Sequence, residues 1–245
     1  ALRMLGPLWA YYRNSAPDPY RQISREYETL IALSLETHTQ LMRDASAEHL
    51  VAGKGYLMLY RSERELHSFF EVADERAHAG VHHLKLNGAD VAREEPALVG
   101  EFAGAVRWTD PVAIRSPGDL VQAYAHLFEQ RGGEVHLGDA MALRRNSPQG
   151  WQVDTADGRT LTAKQVVVAL GPWTLPLTSR FGYTAPMIPK RGYHMHYAGL
   201  PGKALNSTVI DAEYGYVVAP MRDGLRLTTG AELANVDAPR SMGQI

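Results

Sequence analysis

Between residues 18 and 42 apolar side chains return every three to four positions, as Ile23, Tyr27, Leu30, Ile31, Leu35, Leu41 and Met42. That period aligns them in a stripe along one helix. Asp18 followed by Pro19 supplies the expected start, a cap and then a proline whose missing N–H is not needed in the first turn. Residues 55–60, Gly-Tyr-Leu-Met-Leu-Tyr, read as a short strand. Ser62 with Glu65 three positions later forms a capping box. It opens a helix carrying Leu66, Phe69, Phe70 and Ala73, with Gly80 where a left-handed C-terminal cap belongs. His78 falls at the helix C-terminus, where an imidazolium meets the dipole favourably, and His82 and His83 follow just beyond. Arg93-Glu94-Glu95-Pro96 reads as a solvated polar turn before a strand over 104–108. Adjacent carboxylates such as Glu94 and Glu95 point apart and do not form an acid–base pair.

The pattern changes near Asp110. Ser116-Pro117-Gly118-Asp119 caps a helix with Leu120, Val121, Tyr124, Leu127 and Phe128 on one face, and Gly132-Gly133 ends it. Short strands are expected over 134–137 and 142–144, then a hairpin with arms 151–155 and 160–163. Asp157-Gly158 at its tip predicts a type I′ turn. Residues 166–170, Val-Val-Val-Ala-Leu, carry no charge and are bounded by Gly171-Pro172. Such a run fits a strand buried on both faces in a parallel sheet. Alternation over 193–197, 208–211, 214–219 and 225–229, with Asp223-Gly224 as a turn, predicts antiparallel strands at the end. The order is α+β, then an α/β piece, then antiparallel β.

Composition narrows the chemistry. The 245 residues carry 25 basic and 27 acidic side chains, a net charge of −2, so no basic footprint for nucleic acid is present. The absence of cysteine removes disulfides, thiolate catalysis and cysteine-ligated metals, and leaves the compartment open. The longest apolar runs fall far short of the ~18 residues of a membrane span. The chain starts at Ala1 and shows no signal-peptide pattern, so it reads as one entered partway through.

Motif searches are largely negative. Gly53 and Gly55 are the only glycines two apart, and Met58 stands where the third fingerprint glycine belongs, so the dinucleotide fingerprint is absent. Gly53-Lys54-Gly55 reads as a bend before a strand. There is no serine-hydrolase elbow. His194 and His196 share a strand face and could ligate a metal, but nothing in the sequence completes the site, and no metal is expected. Gly171-Pro172-Trp173 follows the buried-strand candidate at its carboxyl end, where open α/β sheets bind ligands. Tyr214 and Tyr216 share a face of a predicted strand; they either shape a site or simply pack.

From about residue 50 onward these segments resemble the FAD-dependent amine oxidoreductases that include D-amino-acid dehydrogenase, glycine oxidase and sarcosine oxidase. The carriers are 55–60 with the following helix and Arg93-Glu-Glu-Pro96-Ala-Leu98, the 110–133 segment, and above all Val166-Val-Val-Ala-Leu-Gly171-Pro-Trp173. Pro189-Lys-Arg191-Gly192, Tyr216-Val-Val-Ala-Pro220, Asp223-Gly224 and Gly230-Ala-Glu232 complete the match. The resemblance implies an antiparallel-sheet substrate domain with helices plus part of a Rossmann-like FAD-binding domain. By it, residues 1–108 and 184–245 are the two parts of the substrate domain and 109–183 a partial FAD-binding domain. It implies FAD as cofactor and a small amine or amino acid as substrate, oxidised by hydride transfer to flavin N5 to an imine that hydrolyses. Tyr216 is implied as the catalytic residue over the substrate, with Tyr214 and Leu233 shaping the pocket. Ala140 and Met141 would border the adenine, and Ala169, Gly171, Pro172 and Trp173 would line the cofactor crevice. A cytoplasmic enzyme follows, with peripheral association at the inner face of a bacterial membrane left open. The family's glycine fingerprint and carboxylate-binding arginine have no counterpart, so the chain reads as the middle of a roughly 400-residue, two-domain enzyme. The competing reading is a binding or interaction module that holds no cofactor.

Overall fold

The computed structural model describes residues 5–77, 80–146, 150–199 and 201–244. Its elements fall into two compact units. One comprises the stretch ending at Tyr20, Leu127–Arg191 and Leu233–Ala238; the other comprises Arg21–His126, Gly192–Glu232 and the stretch from Pro239 on.

Helix α1 spans Leu5–Asn14 and α2 spans Pro17–Asp44. The expected cap at Asp18 is corrected: the helix already begins at Pro17, and Asp18 lies in its first turn, where its charge meets the dipole favourably. The apolar period of α2 is present, yet only Met42 is buried along it; Tyr27, Leu30 and Ile31 are exposed.

Strand β1 covers Val51–Tyr60 and α3 covers Glu63–Ala77. Gly53-Lys54-Gly55 is therefore a kink inside the strand and not a bend before it. Gly55 has φ +80° at a register shift against the neighbouring strand, and a Cβ there would lie 2.2 Å from the Trp108 carbonyl oxygen. Ser62 Oγ accepts the Glu65 N–H at 3.4 Å, and Gly80 takes the left-handed conformation expected of it, φ +83°. The His78 expectation lies outside the described residues.

Between α3 and residue 104 two elements escaped the sequence reading. Strand β2 (His83–Asn87) starts at the histidine expected merely to follow the helix, and α4 (Gly88–Glu94) takes in Arg93 and Glu94 of the supposed polar turn. Asn87 and Asp90 form the capping box that opens α4, each side chain accepting the other's backbone N–H. The solvated-turn expectation for Glu95 is also overturned, because α4 folds it inward to zero exposure.

Strand β3 runs Gly104–Ile114 and α5 runs Pro117–Gln130. Strands β1 and β3 are buried on both faces. Leu57, Leu59 and Ala105 pack with Val91 of α4, Leu205 and Val209 on one side. Val106 and Trp108 pack with Ala73, Phe69 and Phe70 of α3 on the other. The period of two along each strand produces this division.

The next stretch departs most from expectation. Residues 134–137 form no strand; Val135 and Leu137 are exposed at 55% and 81%. A 3₁₀ turn at Ala140–Ala142 precedes a three-stranded sheet of β4 (Arg144–Asn146), β5 (Gly150–Asp154) and β6 (Thr160–Ala163). The β5–β6 turn is not type I′, since Asp157 does not take the positive φ that type requires. The Gly158 N–H instead donates to the Thr155 carbonyl at 3.0 Å, and Gly158 then adopts φ +81° as a bulge. Residues 166–170 are likewise irregular, with Val167 90% exposed. No described strand pairs with them, and a strand has no stability without its ladder.

After the short helix α6 (Thr174–Thr178) come β7 (Lys190–Tyr197), β8 (Thr208–Asp211), β9 (Tyr216–Met221) and β10 (Gly224–Leu233). With the earlier strands they complete a seven-stranded open sheet of order β2-β3-β1-β8-β9-β10-β7. The β1–β8 pair is parallel, while β8–β9 and β9–β10 are antiparallel. His194 and His196 lie exposed on β7 at one end of this order, their ring centroids 5.3 Å apart. Among the described residues no group of three or more potential ligands could hold a metal ion. Nor is any described helix long and apolar enough to cross a membrane.

Candidate active site

In the sheet unit the chemistry concentrates where β1 and β8 end and β9 begins. Parallel pairing sets Leu59 opposite Asp211, so the residue after β1, Arg61, meets the last residue of β8. Val209 and Asp211 lie two apart on one strand and therefore point to the same inward face. Asp211 is consequently buried completely, and an acid there needs compensation. Arg61 supplies it through an ion pair with Asp211 Oδ2. Asp211 Oδ1 accepts the backbone N–H groups of Glu213 at 3.1 Å and Tyr214 at 2.9 Å, which folds the chain into the turn that enters β9.

Both sequence-identified tyrosines belong to this cluster. Tyr214 does not lie on a strand, as expected, but in the turn before β9, and it is 71% exposed. Its ring still stacks on that of Tyr216, with centroids 6.4 Å apart and planes 14° from parallel. The Arg61 guanidinium sits 4.8 Å from the Tyr214 ring centroid and 5.0 Å from that of Phe102. Its backbone N–H donates to Glu213 Oε1 at 3.1 Å.

Burial pushes the Asp211 carboxyl upward, but the Tyr214 amide, Arg61 and Tyr216 outweigh it and hold it below its ordinary value. Burial likewise raises the Tyr216 phenol against the pull of the Arg61 charge. Tyr216 is thus a half-buried, protonated hydroxyl beside a fixed cation. It is suited to donating a hydrogen bond to an anionic group and unsuited to acting as a base.

Sequence reading found the tyrosines and missed Arg61 and Asp211. The available signal was Asp211 itself, an acid in register with Val209 on an alternating strand.

The segments expected to meet a cofactor lie in the other unit. Ala169 is exposed, and Gly171–Trp173 forms a 3₁₀ turn leading into α6, with Trp173 57% exposed. The Met141 N–H is given to Asp139 Oδ1 at 2.8 Å, and the Met141 carbonyl accepts from Arg180. The Met141 N–H is thus already engaged within its own turn. Leu233, at the end of β10, is half exposed. Val166, Val167 and Trp173 each expose apolar surface, the kind on which a planar ring system packs. For the pyrophosphate of a dinucleotide this sequence offers no glycine fingerprint at a helix N-terminus. The residues present fit the ring portions of FAD and not its phosphates.

The chain resembles known proteins along nearly its whole length. The chain is 29% identical over 231 residues to a D-amino acid dehydrogenase from Methylobacterium radiotolerans, covering 90% of this chain and 54% of that protein. It is 27% identical over 247 residues to a D-amino acid dehydrogenase from Chromohalobacter salexigens, covering 94% and 56%. The chain thus spans about half the length of the curated relatives it matches. Among solved structures, glycine oxidase from Geobacillus kaustophilus superposes with a TM-score of 0.69 at 22% identity, over 87% of this chain and 57% of that one. L-proline dehydrogenase from P. horikoshii gives 0.65 at 17%, over 86% and 58%. These likenesses establish a shared fold of mixed helices and an open sheet. The profile described as "FAD dependent oxidoreductase" (DAO) matches residues 2–243, and the chain belongs to that family.

Proposed function

We propose that this chain supplies the substrate-binding sheet and part of the flavin-binding domain of an enzyme that oxidises a D-amino acid or a related small amine. The observation that carries the reading is the Arg61–Asp211 pair holding Tyr214 and Tyr216 at one end of the sheet. Support comes also from the two D-amino acid dehydrogenases matched over 90% or more of the chain.

In this reading the substrate binds as the neutral amine with its carboxylate toward the Tyr216 hydroxyl. Tyr216 stays protonated because burial raises its pKa, and its one O–H turns from Asp211 to the substrate carboxylate while Arg61 continues to hold Asp211. Tyr214 lays an exposed ring beside the substrate side chain. FAD, when bound, supplies the acceptor for the hydride that leaves the substrate α-carbon. The amine loses one proton, the resulting imine adds water, and an oxo acid and ammonia leave. Val166, Val167 and Trp173 would cover the rings of the cofactor and keep water from them.

The test is to incubate the purified protein with FAD, desalt it, and challenge the retained flavin anaerobically with D-alanine, glycine and L-proline. Retention followed by bleaching with one of them is expected. In the FAD-loaded protein, Tyr216→Phe raises KM roughly tenfold or more with a smaller change in kcat, the loss of one hydrogen bond to a charged group. Unchanged kinetics in Tyr216→Phe overturn the site. The second reading is a binding module without cofactor. Complete loss of flavin on desalting selects it.

A further inference from the structure

Within the sheet unit the β9–β10 hairpin and the loop before β8 enclose an open cleft of about 430 Å³. Its apolar lining includes Leu205, Met221 and Leu225, and three cationic residues border it, Arg115, Lys203 and Arg222. A backbone hydrogen bond from the Arg222 N–H to the Arg115 carbonyl, 3.1 Å, sets the two arginines side by side. The loop carrying Lys203 is tied down by Asn206, whose backbone N–H donates to Glu95 at 2.8 Å and whose side-chain amide donates to the Glu94 carbonyl at 2.7 Å.

The charges do not cancel evenly. Arg222 pairs with Asp119 and, at 3.2 Å, with Asp223. The Arg115 guanidinium reaches only the Ala52 carbonyl among the described residues, at 3.4 Å. Among the described residues neither Arg115 nor Lys203 has a carboxylate within ion-pair distance. Two cations without a carboxylate partner among the described residues thus border one concavity in a chain whose net charge is −2. A guanidinium offers a planar fork and an ammonium a point charge, and both donor types suit phosphate oxygens. The volume lies in the range of small-ligand sites, and the apolar lining asks for a carbon body beside the charge.

We infer that this cleft binds a small phosphate monoester through Arg115 and Lys203, with the dianion neutralising both charges and its organic part lying on Met221 and Leu225. The inference stands apart from the oxidoreductase reading, since it uses none of the residues assigned to that site. Affinity falls below about pH 6, where a phosphate monoester takes up its second proton.

Isothermal titration of the whole protein with inorganic phosphate and with glycerol 3-phosphate, at ionic strength matched with chloride, tests it. Saturable binding at one site is expected, tighter for the ester. Arg115→Met and Lys203→Met each weaken it roughly tenfold. Asp119→Asn, which leaves Arg222 paired with Asp223 alone, tightens it about two- to threefold. All three positions lie at the surface, so unfolding midpoints without phosphate serve as the control for folding, with Lys203→Met, at an exposed position just after a turn, the least disturbing variant. No saturable heat, or binding indifferent to Lys203→Met, overturns the site. Glycerol 3-phosphate binding no tighter than phosphate overturns the ester.

Discussion

Two apolar runs in this chain meet opposite fates. Leu57 and Leu59 of β1 are buried among α4, β3 and β8, whereas Val166 and Val167 lie bare with no strand beside them. By propensity alone the valine run is the better strand former. What separates them is the ladder. β1 has β3 on one side and β8 on the other, while residues 166–170 have no described strand partner. Strand structure is a property of pairs, and burial follows pairing.

The comparison can be broken most directly by truncation. Leu57→Ala should cost about 2–5 kcal/mol, because a methyl-rich side chain leaves a void in a packed layer. Val167→Ala should stay within about 0.5 kcal/mol. Urea unfolding of both variants measures the contrast, and equal losses would erase it. Next in size is Arg61→Met, which strips a buried carboxylate of its cation. About 2 kcal/mol is expected, less than for a fully buried pair because Arg61 is partly solvated.

That variant also carries a pH signature. Asp211 has a folded-state pKa below its ordinary 3.8, so its contribution is present above that value and is lost as pH falls through the folded one. The acid limb of the wild-type stability curve should therefore be steeper than that of Arg61→Met. Glu95 runs the other way. Burial raises its pKa against the pull of the Asn206 amide, and its Oε1 has no hydrogen-bond partner. Its contribution is complete below 4.5 and fades as pH rises through the raised value. Glu95→Gln should flatten that decline, the smallest of these effects, visible as a smaller fall in melting temperature between pH 4.5 and neutrality.

Local signals with a local cause were legible. The α3 and α5 helices, the β5 and β6 arms and the strands β7 to β10 all follow from period and turn chemistry, as does the placing of Tyr216. The rest depended on partners distant in sequence. Glu95 looked like part of a hydrophilic turn because nothing nearby announces that α4 will fold it against Asn206, 111 positions along. Arg61 looked like a solvated flank because its counter-charge is 150 residues away. The valine run misled for the converse reason: composition shows what a segment would bury, not whether a neighbour is there to receive it. The stripe on α2 misled likewise, its period correct and most of its apolar residues in solvent.

The bare 166–170 segment bears on how this polypeptide behaves in a tube. It is short, β-branched, uncharged and free of proline, which is the profile of a segment that recruits its own kind into intermolecular sheets. Lys164 before it and Gly171-Pro172 after it act as gatekeepers, one by repulsion and the others by refusing to extend a ladder. Colloidal life at high concentration should hinge on those three residues, and Lys164→Ala should shorten it in light-scattering time courses while leaving the melting temperature almost unchanged.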